Sequence, residues 1–292
     1  MKADSLQTIS MSGRRVLITG GNSGIGKATA LGLARMGAEV VLAGHDSRKT
    51  SDAIEEISNK AGSTSISNLE VDLASLDSVR RLANHFMDRY DRLDVLINNA
   101  GVFPVRQKLT SDGFEYQIGI NHLSHYLLTG LLIPCLMKSQ SARILNISSQ
   151  MHRNGKIDFH CFKGYSKYNA QRAYAQSKLA NVLFSNKLAQ LLSAAPGSHI
   201  TSNALHPGGV RTAITRDVNW FVRKLLDIVF ISAEEGAKPS IMLASDPAFE
   251  GITGKYYDRM EASRAAPLAY HPVLQDQLWL VSQDLTGFKY DL

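Results

Sequence analysis

Short strand-like runs recur along the chain, at residues 14–19, 39–43, 68–73, 93–97, 143–147 and 200–205, and the first does not alternate with polar residues. A strand that is apolar at successive positions is buried on both faces, as in a parallel sheet with helices above and below. Segments with helical spacing lie between these runs. Residues 27–36 carry Ala28, Leu31, Leu33 and Ala34 and stop at Gly37, a good C-terminal signal. Residues 51–60 and 75–90 follow, the second with Val79, Leu82, Ala83 and Phe86 on one face, then 114–137, interrupted near Pro134, and 170–192. Strand and helix alternating over this length predict an α/β fold, a doubly wound parallel sheet in three layers. No linker, repeat or low-complexity segment divides the chain, so residues 13–292 read as a single domain after a short extension, 1–12.

One stretch stands apart. Residues 220–231 (Trp-Phe-Val-Arg-Lys-Leu-Leu-Asp-Ile-Val-Phe-Ile) are the most hydrophobic piece outside the strands, with Arg223, Lys224 and Asp227 partly opposed to the apolar positions. They read either as a helix packed on the core or as part of a lid, 208–232, over a lipophilic substrate or against a membrane surface.

The first strand runs into Thr19-Gly20-Gly21-Asn22-Ser23-Gly24-Ile25-Gly26-Lys27. Glycines at this spacing let the backbone turn sharply and let a phosphate approach a helix N-terminus, whose N–H groups are unpaired. Strand, glycine turn, helix and strand form a βαβ unit, the context a dinucleotide site requires. Ligands of such sheets bind beyond the carboxyl ends of the strands, which here carry Asp72, Asn98 to Gly101, Ser148-Ser149 and Pro207-Gly208. Tyr174 and Lys178 are four residues apart and share a helix face. An ammonium beside a phenol favours the phenolate, so the pair is expected to hold the tyrosine below its ordinary pKa of about 10 and let it exchange a proton with an alcohol or carbonyl oxygen.

Composition narrows the picture. The 292 residues are 44% hydrophobic and carry a net charge of +6 without any Lys/Arg run, which suits an anionic small ligand and argues against nucleic acid. Cys135 and Cys161 match no metal-ligand spacing, so no metal is expected, and reduced thiols are. Neither a signal peptide nor a run of about 20 apolar residues is found, and a cytoplasmic protein is expected.

Taken together these motifs identify the chain as similar to the short-chain dehydrogenase/reductase family, from about Gly13 onward. The family's Thr-Gly-x-x-x-Gly-x-Gly matches residues 19–26, its Asn-Asn-Ala-Gly matches Asn98 to Gly101, and its Tyr-x-x-x-Lys matches Tyr174 and Lys178. The resemblance implies a Rossmann fold and a catalytic set of Asn121, Ser149, Tyr174 and Lys178, with Asn121 at a helix break holding a relay water. It also implies a nucleotide held by Gly20, Asn22, Ser23, Gly24, Ile25 and Gly26 at the pyrophosphate, and by Asp72 and Leu73 at the adenine. Asn99, Ala100 and Gly101 would line the adenosine ribose side. Tyr174 and Lys178 would face the nicotinamide ribose, and Pro207, Gly208, Val210 and Thr212 the carboxamide side. Members of the family often pair as homodimers through two long helices.

Within the family the chain is similar to the retinol dehydrogenase branch, through Ile157-Asp158-Phe159, Tyr168-Asn169-Ala170, Ser177 to Asn181 and His206-Pro207-Gly208. That branch reduces retinal and other lipophilic aldehydes. Two departures stand: no N-terminal anchor is read, and Gly44-His45 replaces the branch's Cys-Arg. Gly44 occupies the place where an NAD-preferring sheet carries a carboxylate for the ribose 2′-hydroxyl. With His45 and Arg48 nearby, NADP(H) is expected over NAD(H), although Asp46 could turn inward and favour NAD. Two rivals share this sequence reading: a biosynthetic ketoreductase acting on a soluble ketone, and a non-catalytic nucleotide sensor.

Overall fold

The structure is a computed structural model that describes residues 9–45, 47–209 and 232–292. Most of the predicted lid, residues 210–231 with Val210 and Thr212, lies outside the described residues, as does Asp46.

Eight strands form one sheet in the order β3-β2-β1-β4-β5-β6-β7-β8. They are β1 (Arg15–Thr19), β2 (Glu39–Gly44), β3 (Ile66–Glu70), β4 (Val95–Asn98), β5 (Ala142–Ile147), β6 (Ile200–His206), β7 (Tyr256–Asp258) and β8 (Glu261–Ser263). All pairings are parallel except β7 with β8. Alternate residues of each central strand enter opposite cores. Leu17, Val41, Leu96 and Ile144 pack under α3 (Leu76–Arg89), α5 (Ser124–Leu136) and α6 (Ala170–Ala194). Val16, Ile18, Val40, Leu42, Val95, Ile97 and Leu145 pack under α1 (Gly24–Arg35), α2 (Ser47–Ala61) and α7 (Ala233–Ser245). The first strand's lack of alternation is thus explained by helices on both faces, and the doubly wound, three-layer prediction holds.

Three local expectations change. The third strand covers Ile66–Glu70 rather than 68–73. The Asp72 side chain accepts the Ala74 amide at 2.9 Å and the Asp72 amide donates to Ser78 Oγ at 2.9 Å, turning the chain away from the sheet toward α3. The predicted helix at 114–137 is a bent rod, with one turn of α4 (Tyr116–Ile118), a π turn at Gly119–Leu123, and then α5. Pro134 sits inside α5, and the interruption is at the π turn. The second helix begins four residues earlier than its apolar pattern, at Ser47. Beyond the predicted elements, the C-terminal part adds β7, β8, α7 and α8 (Pro272–Thr286). The chain after α8 returns to α5, where Tyr290 Oη donates to the Tyr126 carbonyl at 2.6 Å and a Cβ on Gly130 would collide with Phe288.

Strand order reverses between β1 and β4, where the first connection runs to one side through β2 and the chain then returns to the other. In doubly wound sheets a ligand crevice lies beyond the strand ends at such a reversal, and here the glycine turn and the Asn98 to Gly101 loop are its two lips.

Candidate active site

The first lip is built from backbone. Ser23 is the extended N-cap of α1 and makes no side-chain capping bond, so its hydroxyl leaves the first amides of the helix unclaimed. Gly24 has φ +52°, a conformation that a residue with a Cβ rarely adopts. A Cβ on Gly26 would stand 2.3 Å from the Gly20 carbonyl oxygen and 2.6 Å from Asn99 Nδ2, so only glycine lets α1 come this close to the turn. Lys27 takes no part in the crevice. Its ammonium binds Glu56 of α2 at 2.5 Å, and Lys27 and Lys60 together hold the Glu56 carboxyl down at about 2.

Thr19, at the end of β1, ties the two lips. Its Oγ1 receives the amides of Asn99 at 2.9 Å and Ala100 at 3.0 Å. Asn99 Nδ2 in turn donates to the Thr19 carbonyl at 2.8 Å and, more weakly, to that of Gly20 at 3.4 Å. The amide donor of Asn99 is therefore engaged within the protein, a strut between the lips rather than a donor aimed at a ribose. Gly101 passes close over the reacting set, since a Cβ there would lie 3.3 Å from Lys178 Nζ and 3.6 Å from Asn121 Oδ1.

That set comes from three elements. Asn121 lies in the π turn, where the ordinary helical ladder is broken, as the sequence led one to expect. Its side chain accepts the Val102 amide at 2.8 Å and donates to Ser177 Oγ at 2.9 Å. Ser177 Oγ donates onward to the Tyr174 carbonyl at 2.9 Å. Ser149 follows β5 and caps a short 3-10 helix, receiving the Met151 amide at 3.3 Å, and its side chain lies near enough to the Tyr174 hydroxyl to lower the phenol's pKa. Ser148, its neighbour, donates to the Lys178 carbonyl at 2.8 Å, which ties β5 to α6. Lys178 Nζ donates to the Ile147 carbonyl at 3.0 Å and stands 5.6 Å from the Tyr174 ring centroid. Phe103 closes the other side of that ring, edge-on at 5.1 Å.

The electrostatics correct one expectation. Burial pushes the Tyr174 phenol up to about 12, and the nearby Ser149 side chain only partly opposes it. Burial also pulls the Lys178 ammonium down to about 8. The phenol is thus above, not below, its ordinary value: the ammonium is committed to the Ile147 carbonyl rather than to the phenolic oxygen, and burial is the largest influence on the phenol.

Other predicted positions are more loosely placed. Asp72 and Leu73 sit past β3 on the outer side of the crevice, with Leu73 packed against the core. His45 and Arg48 are exposed past the end of β2. Pro207 and Gly208 follow β6, beside the end of β5, where the Ser148 amide donates to the Leu205 carbonyl at 2.7 Å. The sequence reading gave no site role to His125, Ser177 or Phe103. His125 stands four residues after Asn121, the spacing that puts two side chains on one helix face, and that spacing was the available signal.

The family model described as short chain dehydrogenase matches residues 14–221. The chain belongs to the short-chain dehydrogenase family. Among its relatives, human "Retinol dehydrogenase 14" is 39% identical over 95% of this chain and 87% of its own length. Human "Polyprenol dehydrogenase" is 40% identical over 94% of this chain and 85% of its own length. A solved Mycobacterium paratuberculosis protein superposes with a TM-score of 0.81 at 35% identity, covering 98% of both chains. The Pseudomonas aeruginosa RhlG/NADP complex follows with a TM-score of 0.70 at 28% identity, covering 85% of this chain and 95% of its own. The chain is therefore an oxidoreductase of this family, similar to its retinol dehydrogenase branch and acting on CH–OH donors. Among the described residues, no helix is long and apolar enough to cross a membrane.

Proposed function

We propose that the protein uses NADP(H) to interconvert a lipophilic aldehyde and its alcohol, with a long isoprenoid chain as the favoured substrate class. The observation that carries the chemistry is the convergence of Ser149, Tyr174, Lys178 and Asn121 beside a crevice whose turn admits no side chain at Gly26. That cradle, with the unclaimed amides at the start of α1, fits a dinucleotide pyrophosphate. When bound, the nicotinamide supplies or accepts a hydride at the substrate carbon. Ser149 orients the substrate oxygen, and the Tyr174 hydroxyl gives it a proton in reduction. With its pKa raised by burial, the phenol is protonated at neutral pH, the state a general acid needs in the reductive direction. Lys178 supplies positive charge at the ribose side and offsets the negative charge that forms on the phenolic oxygen.

Cofactor preference rests on Gly44. A Cβ at this position would meet Asn22 Nδ2 at 3.0 Å and Thr50 Oγ1 at 3.2 Å, atoms already bonded to each other at 3.0 Å. The Asn22–Thr50 bridge leaves little room for a 2′-hydroxyl-binding carboxylate at Gly44, and the exposed basic side chains that follow, His45 and Arg48, support a 2′-phosphate there. The NADP complex of the Pseudomonas protein supports the same choice. For the substrate, the names of the two human relatives point to allylic isoprenoid alcohols of different length.

The test is steady-state reduction of retinal, a prenyl aldehyde, a fatty aldehyde, a steroid ketone and a small ketone with NADPH and with NADH. We expect the isoprenoid aldehydes to lead and kcat/KM to be at least tenfold higher with NADPH. Equal rates with NADH would overturn the cofactor choice. A small ketone turned over best would instead identify a soluble-ketone reductase, and NADPH binding without turnover a sensor.

A further inference from the structure

His125 is buried in the first turn of α5 and belongs to no part of the reaction described above. Its two ring nitrogens have separate partners: Nδ1 lies 3.1 Å from the Asn121 carbonyl oxygen, and Nε2 lies 2.9 Å from Thr19 Oγ1. Hydrogen-bond accounting fixes which nitrogen carries the proton. The Asn121 carbonyl can only accept, so Nδ1 is the donor. Thr19 Oγ1 already receives two amides, from Asn99 and Ala100, and its single proton must point outward. The candidates are Nε2 at 2.9 Å and the Ile97 carbonyl at 3.4 Å, and only the first is within normal range. Both ends therefore require the same species, a neutral imidazole protonated on Nδ1 and accepting on Nε2. Bulk water does not reach either bond, because Thr19, Asn121 and His125 are 0%, 0% and 2% exposed.

We propose that His125 is a positioning residue that couples the lip holding the nucleotide to the π turn holding Asn121. The hydrogen-bonded line runs from the Asn99 and Ala100 amides through Thr19, His125, Asn121 and Ser177 to the Tyr174 backbone. One end of the imidazole fixes the hydroxyl that holds the two lips together. The other fixes the carbonyl of the residue whose side chain supports the tyrosine turn. The imidazole thus sets the spacing between the bound nucleotide and the acid, and each half of that role depends on a different nitrogen. Burial holds the ring neutral, pulling its pKa to about 4 against the opposing pull of the Asn121 carbonyl bond.

The proposal rests on the nucleotide reading of the crevice, and the tests separate the two. Nitrogen-15 NMR of the imidazole in the nucleotide-free protein should show a protonated Nδ1 and an unprotonated Nε2 at pH 7. An Nε2-protonated ring would overturn the proposal whatever the protein binds. NADPH affinity, read from fluorescence without substrate, and kcat then divide the two halves. His125→Asn places an amide donor near the Nδ1 position and abandons Thr19, so the Kd for NADPH should rise about tenfold and more than kcat falls. His125→Gln places its amide near Nε2 and abandons the Asn121 carbonyl, so kcat should fall about tenfold and more than Kd rises. Variants that shift both parameters alike, or neither, would overturn the proposal. Thermal melts establish that each variant is folded, and if one is not, the wild-type tautomer still decides. A wild-type protein that binds no NADPH would remove the nucleotide reading and leave the tautomer result standing.

Discussion

The two sides of the crevice are made of different material. The turn after β1 works through backbone and through what is missing: a left-handed Gly24, an unclaimed helix start, and no Cβ at Gly26. No residue from Thr19 to Gly26 titrates. The opposite side works through side chains from the π turn, β5 and α6, each held by another: Asn121 by Val102 and Ser177, Ser148 by α6, Lys178 by Ile147. A backbone site tolerates changes of charge but not of volume. A site of linked side chains tolerates little change of hydrogen-bonding chemistry, because each loss leaves a buried partner unsatisfied.

The largest expected effect falls on the side-chain side. Tyr174→Phe keeps the ring against Phe103 and removes only the hydroxyl, so kcat for aldehyde reduction should fall about 10³- to 10⁴-fold. The Kd for NADPH, measured by fluorescence, should change by less than about threefold, because the turn does the holding. Substantial turnover in this variant would mean that the proton comes from elsewhere, and a large loss of affinity would erase the division between the two sides.

Acid should also strike the helix rather than the turn. Burial pulls His122 down to about 3 and His125 to about 4, while both take a proton near 6.5 in the unfolded chain. Between about pH 6.5 and pH 4 the unfolded state therefore binds more protons, and stability falls as pH falls. Each histidine contributes up to about 1.4 kcal/mol per pH unit in that window and less near pH 6.5, so the two would remove about 3 kcal/mol between pH 6.5 and pH 5, and His206 at the end of β6, which burial also pulls to about 4, adds to the loss. Glu115 works the other way. Burial raises its carboxyl against the Gln117 and Ile118 amide bonds, so stability is regained as pH falls through that raised pKa toward the ordinary carboxyl value, which softens the slope at the acid end. Urea unfolding at pH 7 and pH 5 measures the difference, and equal free energies would show that these rings are solvated or already charged.

The same division decides what could be read from the chain. The glycine turn and the two-faced strands were legible, because close approach and double burial each demand a local residue type: glycine in one case, unbroken Val, Ile and Leu in the other. Tyr174 and Lys178 were legible as helix neighbours, and Asn121 as a helix break through the family pattern. The level of the phenol was not. It depends on where the Lys178 ammonium finds a carbonyl, and Ile147 is far away in sequence. His125 was missed for the same reason, since its second partner, Thr19, lies 106 residues away. Strand β7, three residues long, and α7, with Pro239 inside it, carry too little periodic signal of their own and form because β6 and α1 offer them a surface.

The smallest expected effect tests the turn by volume alone. Gly26→Ala adds one methyl group, with no charge and no hydrogen bond, in a helix where alanine is otherwise the better residue. Its Cβ would meet the Gly20 carbonyl and Asn99 Nδ2 at distances no carbon tolerates, and neither neighbour is the free end of a flexible chain. The carbonyl belongs to the turn, and the amide is held by Thr19. The turn must open, so stability should fall by about 1–3 kcal/mol. Because opening spreads the two lips, the Kd for NADPH should rise about tenfold while the kcat of the saturated enzyme falls less. Melting temperature, NADPH fluorescence and kcat at saturating NADPH read these separately. If alanine is accepted with unchanged Tm and Kd, the close approach is not what holds the nucleotide, and the turn would have to act through its N–H groups alone.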